Sequence, residues 1–375
     1  MADKLKLVTI LGTRPEIIRL SETMKACDKY FDHILVHTGQ NYDYELNQIF
    51  FDELGLRAPD FYLDCAGKNL GATMGNVIAK SYELLQTIKP DAVLVLGDTN
   101  SALSAISAKR LKLPIFHMEA GNRCWDWNVA EMTNRTIVDH IADINLPYTE
   151  NARRYLLNEG IDGKTIFVTG SPMKEVLKKN QKKIDESDIL ERLNLKKGEY
   201  IVVSAHREEN IDIEKNFFEI MNSINGLAER YNVPIIYSTH PRSRKFIESR
   251  HFAFHPLVKS TKPFGLFEYV HLEKNALCVI SDSGTLTEES AIEHFPAVLI
   301  RTSTERPEGL DAGSIIIGGI DKNDVLRATD LAISMHENNE PLSLSPAYAC
   351  DDTSLRVVRV IQSYTPIVNL TTWRK

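Results

Sequence analysis

From residue 7 to residue 300 the chain alternates short apolar runs with longer amphipathic stretches, and most of the apolar runs end in polar or charged residues. That alternation is the signature of βαβ units with parallel strands, which are buried on both faces and so read as continuous apolar segments. A first series predicts strands over 7–11, 33–36, 92–98, 113–116, 144–147 and 166–168, with helices over 16–27, 44–54, 70–88, 100–110 and 128–141. A second predicts strands over 201–204, 234–238, 277–280 and 297–300, with a helix over 213–231 and another after residue 284. The lysine-rich segment 174–197 reads as the linker. The expected organisation is α/β, with one domain over 1–172, a second over 173–353, and a C-terminal helical segment over 354–375 packing back on the first.

The ends of these strands carry the unusual residues. The run 113–116 leads into His117-Met118-Glu119-Ala120-Gly121-Asn122-Arg123, and 92–98 ends at Asp98. Open α/β sheets bind ligands at the C-terminal ends of their strands. Asp98, Glu119 and Glu131, with Arg123 between the two glutamates, would therefore gather at one sheet edge. Such a set suits proton transfer on a polar substrate; taken singly, each is equally a solvated loop carboxylate or half of an ion pair.

Composition narrows the partners. A net charge of −7 over 375 residues argues against nucleic acid or an anionic membrane, so an anionic substrate needs a local basic pocket. The five cysteines, Cys27, Cys65, Cys124, Cys278 and Cys350, show no CxxC pair or zinc spacing. They suggest reduced thiols in a cytosol. No run reaches the roughly 18 apolar residues of a membrane span. The N-terminal residues enter a strand too early for a signal peptide.

Three features point to a nucleotide diphosphate. Ser283-Gly284-Thr285 lies between a strand and a helix, where exposed N–H groups and the helix dipole attract anions, although a plain N-cap gives the same pattern. Gly12-Thr13-Arg14-Pro15-Glu16 follows the first strand; Arg14 offers a planar fork to phosphate, or pairs with Glu16. Arg306, in Thr304-Glu305-Arg306-Pro307-Glu308, either meets the same anion or ties down its loop. No GxGxxG or Walker A sequence supports NAD or ATP. His206 and Arg207 end a strand; the histidine is placed for acid/base work or for donating to phosphate. His240 holds a matching strand end. The run Arg242 to Lys245 reads as a solvated face, and Tyr42 and Tyr44 as cleft-lining or packing aromatics.

Taken together these motifs resemble the non-hydrolysing UDP-N-acetylglucosamine 2-epimerases. The resemblance spans nearly the whole chain, from Gly12-Thr13-Arg14-Pro15-Glu16 through Gly97-Asp98-Thr99, His117 to Gly121, His206-Arg207 and Asp282-Ser283-Gly284 with Glu288-Glu289, to Thr304 through Glu308. His37 to Tyr44 and Met118 to Cys124 are similar to the branch that makes UDP-N-acetyl-L-fucosamine for capsule and O-antigen. The resemblance implies two Rossmann-like domains, as in GT-B glycosyltransferases, with an interdomain active-site cleft, a cytoplasmic homodimer, and no metal or nicotinamide cofactor. It implies elimination of UDP across C1–C2 to a 2-acetamidoglycal, then re-addition with the proton delivered to the other face. Asp98, Glu119, Glu131 and His206 take the catalytic positions. Arg14, Ser283, Gly284 and Arg306 would hold the diphosphate and Glu289 the ribose, with Arg19, Arg123, Arg207, His240 and Tyr269 completing the UDP-sugar site.

Several positions depart from the family pattern. Ala130-Glu131-Met132 replaces the usual Pro-Glu-Glu, which can tune a neighbouring pKa. Asn41 replaces a histidine associated with activation by substrate, Phe264 replaces a glutamine near the uracil, and Arg19 replaces a lysine. Four rival readings are the same chemistry on UDP-GlcNAc and UDP-ManNAc, a hydrolysing epimerase, a GT-B glycosyltransferase, and a non-catalytic UDP-sugar sensor.

Overall fold

A computed structural model describes residues 3–40, 48–340 and 342–375; Asn41, Tyr42 and Tyr44 lie outside the described residues. The chain divides into two compact units, Met1–Lys179 with Ala349–Lys375, and Asn180–Tyr348.

The first unit contains β1 (Lys6–Leu11), β2 (Asp32–His37), β3 (Phe61–Tyr62), β4 (Ala92–Leu96), β5 (Ile115–Met118) and β6 (Ile144–Leu146). They form one sheet in the order β3-β2-β1-β4-β5-β6, and every pairing is parallel. The second contains β7 (Ile201–Ser204), β8 (Ile235–Ser238), β9 (Val258–Thr261), β10 (Cys278–Ser281), β11 (Ala297–Leu299) and β12 (Ile316–Ile317). Their order is β12-β11-β10-β7-β8-β9, again all parallel. The expected α/β class, with two doubly wound parallel sheets, is what the chain adopts.

The apolar runs explain the strands. All five residues of β4 are buried, as are Leu7, Val8, Ile10 and Leu11 of β1. Each such side chain contributes about 1.5–3 kcal/mol of transfer free energy. Both sheets reverse their winding direction once, between β1 and β4 in the first unit and between β7 and β10 in the second. Loops leaving adjacent strands part there in opposite directions and leave a crevice at the strand ends. The loops concerned begin at Gly12, Gly97, Ala205 and Asp282.

Helix boundaries follow local chemistry. Pro15 sits in the first turn of Arg14–Tyr30, where its missing N–H costs nothing. Asn69 caps Leu70–Ile88 by accepting from the Ala72 N–H at 2.8 Å. In the C-terminal helix Thr353–Val368, Ser354 gives its N–H (2.9 Å) and hydroxyl (2.6 Å) to Glu175, tying it to the first unit.

Several expectations need correction. The segment 174–197, which contains the boundary between the two units after Lys179, is helical over Met173–Asp185 and Ile189–Leu193; Val176, Leu177 and Ile184 of the first helix are buried. Residues 166–168 make only a single bridge, Asn145 to Ile166. β4 stops at Leu96 because Gly97 turns left-handed, with φ +67°. Unpredicted were β3, β9 and β12, which are short or polar edge strands, and helices Glu150–Asn158, Leu266–Asn275 and Lys322–Glu337.

Candidate active site

In the first unit β4 and β5 are in register to their ends, Leu96 opposite Met118, and the Gly97 N–H continues the ladder to the Met118 carbonyl at 2.9 Å. Glu119 follows Met118 directly and Asp98 follows Leu96 by two residues, so the two acids leave the ends of adjacent strands. Glu119 has φ +60°. A side chain in that left-handed region costs on the order of 1 kcal/mol, and such strain gathers at functional positions. Gly97 is called for by its left-handed φ of +67°, since an added Cβ would make only ordinary contact, 3.4 Å, with Glu119 Oε2.

Each acid has its own arginine. Glu119 pairs with Arg19 from helix Arg14–Tyr30, both side chains being almost wholly buried. Glu119 Oε1 also accepts from Asn122 Nδ2 at 3.3 Å. Asp98 pairs with Arg135 from helix Glu131–Ile141. Asn134 donates to the Asp98 carbonyl at 3.0 Å and to Asn100 Oδ1 at 3.2 Å. Glu131 is the exposed first residue of that helix. Spacings of three and four put it on the face that carries Asn134 and Arg135. Arg135 and Asn134 were not among the expected site residues; their signal was that helical spacing from Glu131.

Arg14 opens its helix with its guanidinium 5.9 Å over the Phe50 ring. Glu16 does not pair with it. The Glu16 carboxylate accepts from the Gly12 N–H (3.0 Å), the Thr13 hydroxyl (2.8 Å) and the Ser101 hydroxyl. Gly12 is required there, since an added Cβ would come within 1.9 Å of Thr38 Oγ1.

Arg123 is a correction. It was expected to contact substrate, but it is 2% exposed. Its guanidinium is committed to Asp139 (2.7 Å), to Glu159 (2.7 and 2.6 Å) and to the Asn122 carbonyl (2.8 Å). Asp139 also faces His117 Nδ1 at 3.0 Å, while His117 Nε2 meets the Gly97 carbonyl at 2.7 Å. Burial alone would raise Asp139; His117 and Arg123 outweigh it and hold the carboxyl below its usual range. This buried group braces the strand ends under Gly97 and Gly121.

In the second unit Asp282 plays the central part, and the sequence pattern did not mark it as a site residue. It is fully buried, and one oxygen accepts from the N–H groups of His206 (2.8 Å) and Arg207 (2.9 Å) and from Asn210 Nδ2 (3.1 Å). The other faces His206 Nδ1 at 3.2 Å. Burial would raise its pKa, but the adjacent His206 and these donors hold it well below the carboxylate range. His206 is thereby oriented through Nδ1, with its ring 5.5 Å from that of His240. His240 also caps helix Pro241–Ser249, accepting from the Arg242 N–H at 3.2 Å.

Arg207 bonds the Asp282 carbonyl (3.0 Å) and Glu305 (3.1 Å). Arg306 donates to Glu288 at 2.7 Å and lies against Gly284, where a Cβ would meet its guanidinium at 2.5 Å. Ser283 and Thr285 share a hydroxyl contact of 2.8 Å just ahead of helix Leu286–Glu293. Thus Arg207 reaches Asp282 and Arg306 reaches Gly284, on the loop that carries Ser283 at the end of β10. Glu289 is buried beside Glu273; burial, with Glu289 and Glu293 nearby, pushes the Glu273 carboxyl well up, against a hydrogen bond from Tyr269. Glu273 gave no signal in the sequence beyond a helical spacing of four from Tyr269.

Among the described residues, no group of three or more His, Cys, Asp or Glu side chains could hold a metal ion, and no helix is long and apolar enough to cross a membrane. The five cysteines are free thiols.

The family model described as UDP-N-acetylglucosamine 2-epimerase matches residues 25–362. A solved UDP-N-acetylglucosamine 2-epimerase from Rickettsia bellii is 46% identical, with a TM-score of 0.91, over 99% of this chain and all of that one. The Methanocaldococcus jannaschii UDP-GlcNAc 2-epimerase, solved in complex with UDP-GlcNAc and UDP, is 33% identical with a TM-score of 0.89, covering 96% of this chain and 100% of that one. A UDP-N-acetylglucosamine 2-epimerase homolog of Methanococcus maripaludis is 38% identical over 86% of this chain and 91% of its own length.

Proposed function

Because the chain belongs to the UDP-N-acetylglucosamine 2-epimerase family, we propose that it inverts C2 of a UDP-2-acetamido sugar without hydrolysing it. A base takes the C2 proton as the C1–oxygen bond breaks, so UDP leaves with the bond pair and a 2-acetamidoglycal remains. UDP then returns to C1 and a proton enters C2 from the opposite face. Atoms and charge balance with no external reductant or oxidant.

The observation that carries this reading is the pair of neighbouring strand-end carboxylates, Asp98 and Glu119, each held by its own arginine. Two carboxylates at adjacent strand ends can divide the acid and base roles that a two-faced proton transfer requires. Glu119 and Glu131 share that transfer with Asp98. Arg14, Ser283, Gly284 and Arg306 hold the diphosphate, Glu289 the ribose, and Tyr269 the base. His206, fixed through Nδ1 by Asp282, steadies the departing phosphate with its other nitrogen.

For the sugar, the residues 37–44 and 118–124 favour UDP-2-acetamido-2,6-dideoxy-L-talose going to UDP-N-acetyl-L-fucosamine, in a cytoplasmic homodimer serving capsule or O-antigen synthesis. The second reading, UDP-GlcNAc with UDP-ManNAc, is supported by the names of the relatives above. Incubation of the chain with each sugar nucleotide in D2O, followed by NMR, separates them. Deuterium at C2 with a new epimer identifies the substrate. No exchange with either, in a chain that binds UDP, would overturn the epimerase reading.

A further inference from the structure

Glu16 is a buried carboxylate that the chemistry above does not use. It stands in the first turn of helix Arg14–Tyr30 and is wholly shielded from solvent. One oxygen gathers the Gly12 N–H and the Thr13 hydroxyl, at the end of β1. The other takes the hydroxyl of Ser101, 85 residues away, in the turn after β4. Ser101 Oγ lies 2.5 Å from Thr99 Oγ1, and Thr99 follows Asp98 directly. The two loops that part at the switch point between β1 and β4 are thus joined through this carboxylate.

We propose that Glu16 is a positioning residue that sets the Asp98 turn by its own ionisation. As an anion it accepts from all three donors and locks Ser101 toward the end of β1. As a neutral acid it carries a proton on the oxygen that faces Ser101, and that hydroxyl oxygen can accept it, so the bond between Glu16 and Ser101 reverses its direction. The Ser101 hydroxyl then turns its own proton to Thr99 Oγ1, 2.5 Å away, and the hydrogen bonding of the residue next to Asp98 reverses with it.

Burial pushes the Glu16 carboxyl up to about 7, against the hydrogen bonds from Ser101, Thr13, Gly12 and Thr99 that favour its ionised form. Every group bonded to it is neutral. The charged groups beside it on the elements it joins are Arg14 at the start of its helix, Arg19 on the next turn, paired to Glu119, and Asp98, paired to Arg135. The change of state therefore falls near neutral pH, where the chain would work.

The inference rests on the proposed epimerase reading only for its consequence in turnover, and the test keeps the two apart. The full chain, carbon-13 labelled at aspartate carboxyls, is titrated from pH 5 to pH 9, with the Asp98 signal assigned through Asp98→Asn. The wild type is expected to show an inflection of the Asp98 signal near 7 that Glu16→Gln lacks, with both folded throughout by circular dichroism. No inflection in the wild type, or the same inflection in Glu16→Gln, overturns the proposal. Separately, wild-type kcat on its sugar nucleotide should rise through the same pH range while KM stays level. Glu16→Gln, fixed in the neutral form, should match the wild type near pH 6 and lie on the order of tenfold below it near pH 8. A kcat profile that Glu16→Gln leaves unchanged in shape counts against the proposal. A wild type inactive on every sugar nucleotide removes the epimerase reading, while the carboxyl titration still decides for or against the coupling of Glu16 to Asp98.

Discussion

Asp98 and Glu119 stand at strand ends of the first unit, each opposed by one arginine side chain reached from a helix. Asp282 stands at the corresponding place in the second unit, one residue past β10, and is held by two backbone N–H groups, one amide and one imidazole. The first arrangement pairs carboxylates with guanidinium groups on long rotatable stems. The second fixes a carboxylate with donors that cannot leave, so it stays ionised and serves to aim His206 and Arg207. One topology has been fitted twice, once with acids paired to side chains and once with an acid bound chiefly to backbone.

The largest test of that contrast is Glu119→Gln. Turnover should fall by about 10³-fold or more, the range of a positioned acid or base, while UDP affinity by calorimetry stays within about twofold. A comparable loss of UDP affinity would mean that Glu119 binds rather than moves protons.

Asp282→Asn should act on stability as well as on activity. Removing the charge from this buried carboxylate costs about 3 kcal/mol, read as a lower urea midpoint at pH 7. Because the folded pKa is depressed, that stabilisation is complete above the unfolded value of about 4 and is lost as pH falls through the folded one. The gap between wild type and variant should therefore close in acid. A constant gap from pH 7 to pH 3 would show that packing, not charge, is what Asp282 supplies.

Glu16→Gln should do the reverse. Its folded pKa lies above the ordinary value of 4.5, at about 7, so the native state holds the proton more tightly and loses stability as pH rises between those values. The variant should equal the wild type near pH 4.5 and exceed it by up to about 3 kcal/mol above pH 7. A buried acid that destabilises its fold at working pH is expected at a functional position, where stability is given up for a controllable state.

The smallest effect is expected at Trp127, which is 67% exposed on the loop between Glu119 and Glu131. Trp127→Ala should change stability by less than about 0.5 kcal/mol. A larger loss would mean that the loop supports the acid pair more than its exposure implies.

The strands were legible because parallel strands are apolar on both faces, and the residues after them were legible because polar groups interrupt that pattern abruptly at Asp98, Glu119, His206 and Ser283. Helix Leu70–Ile88 was predicted to its last residue, capped by Asn69 and ended at Lys89. The edge strands β3 and β9 were not, since a strand open to solvent on one side carries no continuous apolar run. Helix Met173–Asp185 was not legible within the lysine-rich segment, because its charges mask the buried Val176, Leu177 and Ile184.

What the sequence determined by itself is therefore the alternation, the class of fold, and the set of polar residues delivered to strand ends, all of which follow from short-range periodicity. Only the tertiary structure decided who pairs with whom. Arg123, beside Glu119 in the chain, turns away to Asp139 and Glu159, while Arg19, a hundred residues distant, reaches Glu119. Glu16 passes over its neighbour Arg14 for Ser101. An ion pair or a buried hydrogen bond is set by three-dimensional distance and by the cost of leaving a partner unsatisfied in a low-dielectric interior, and strand order, not sequence order, sets those distances.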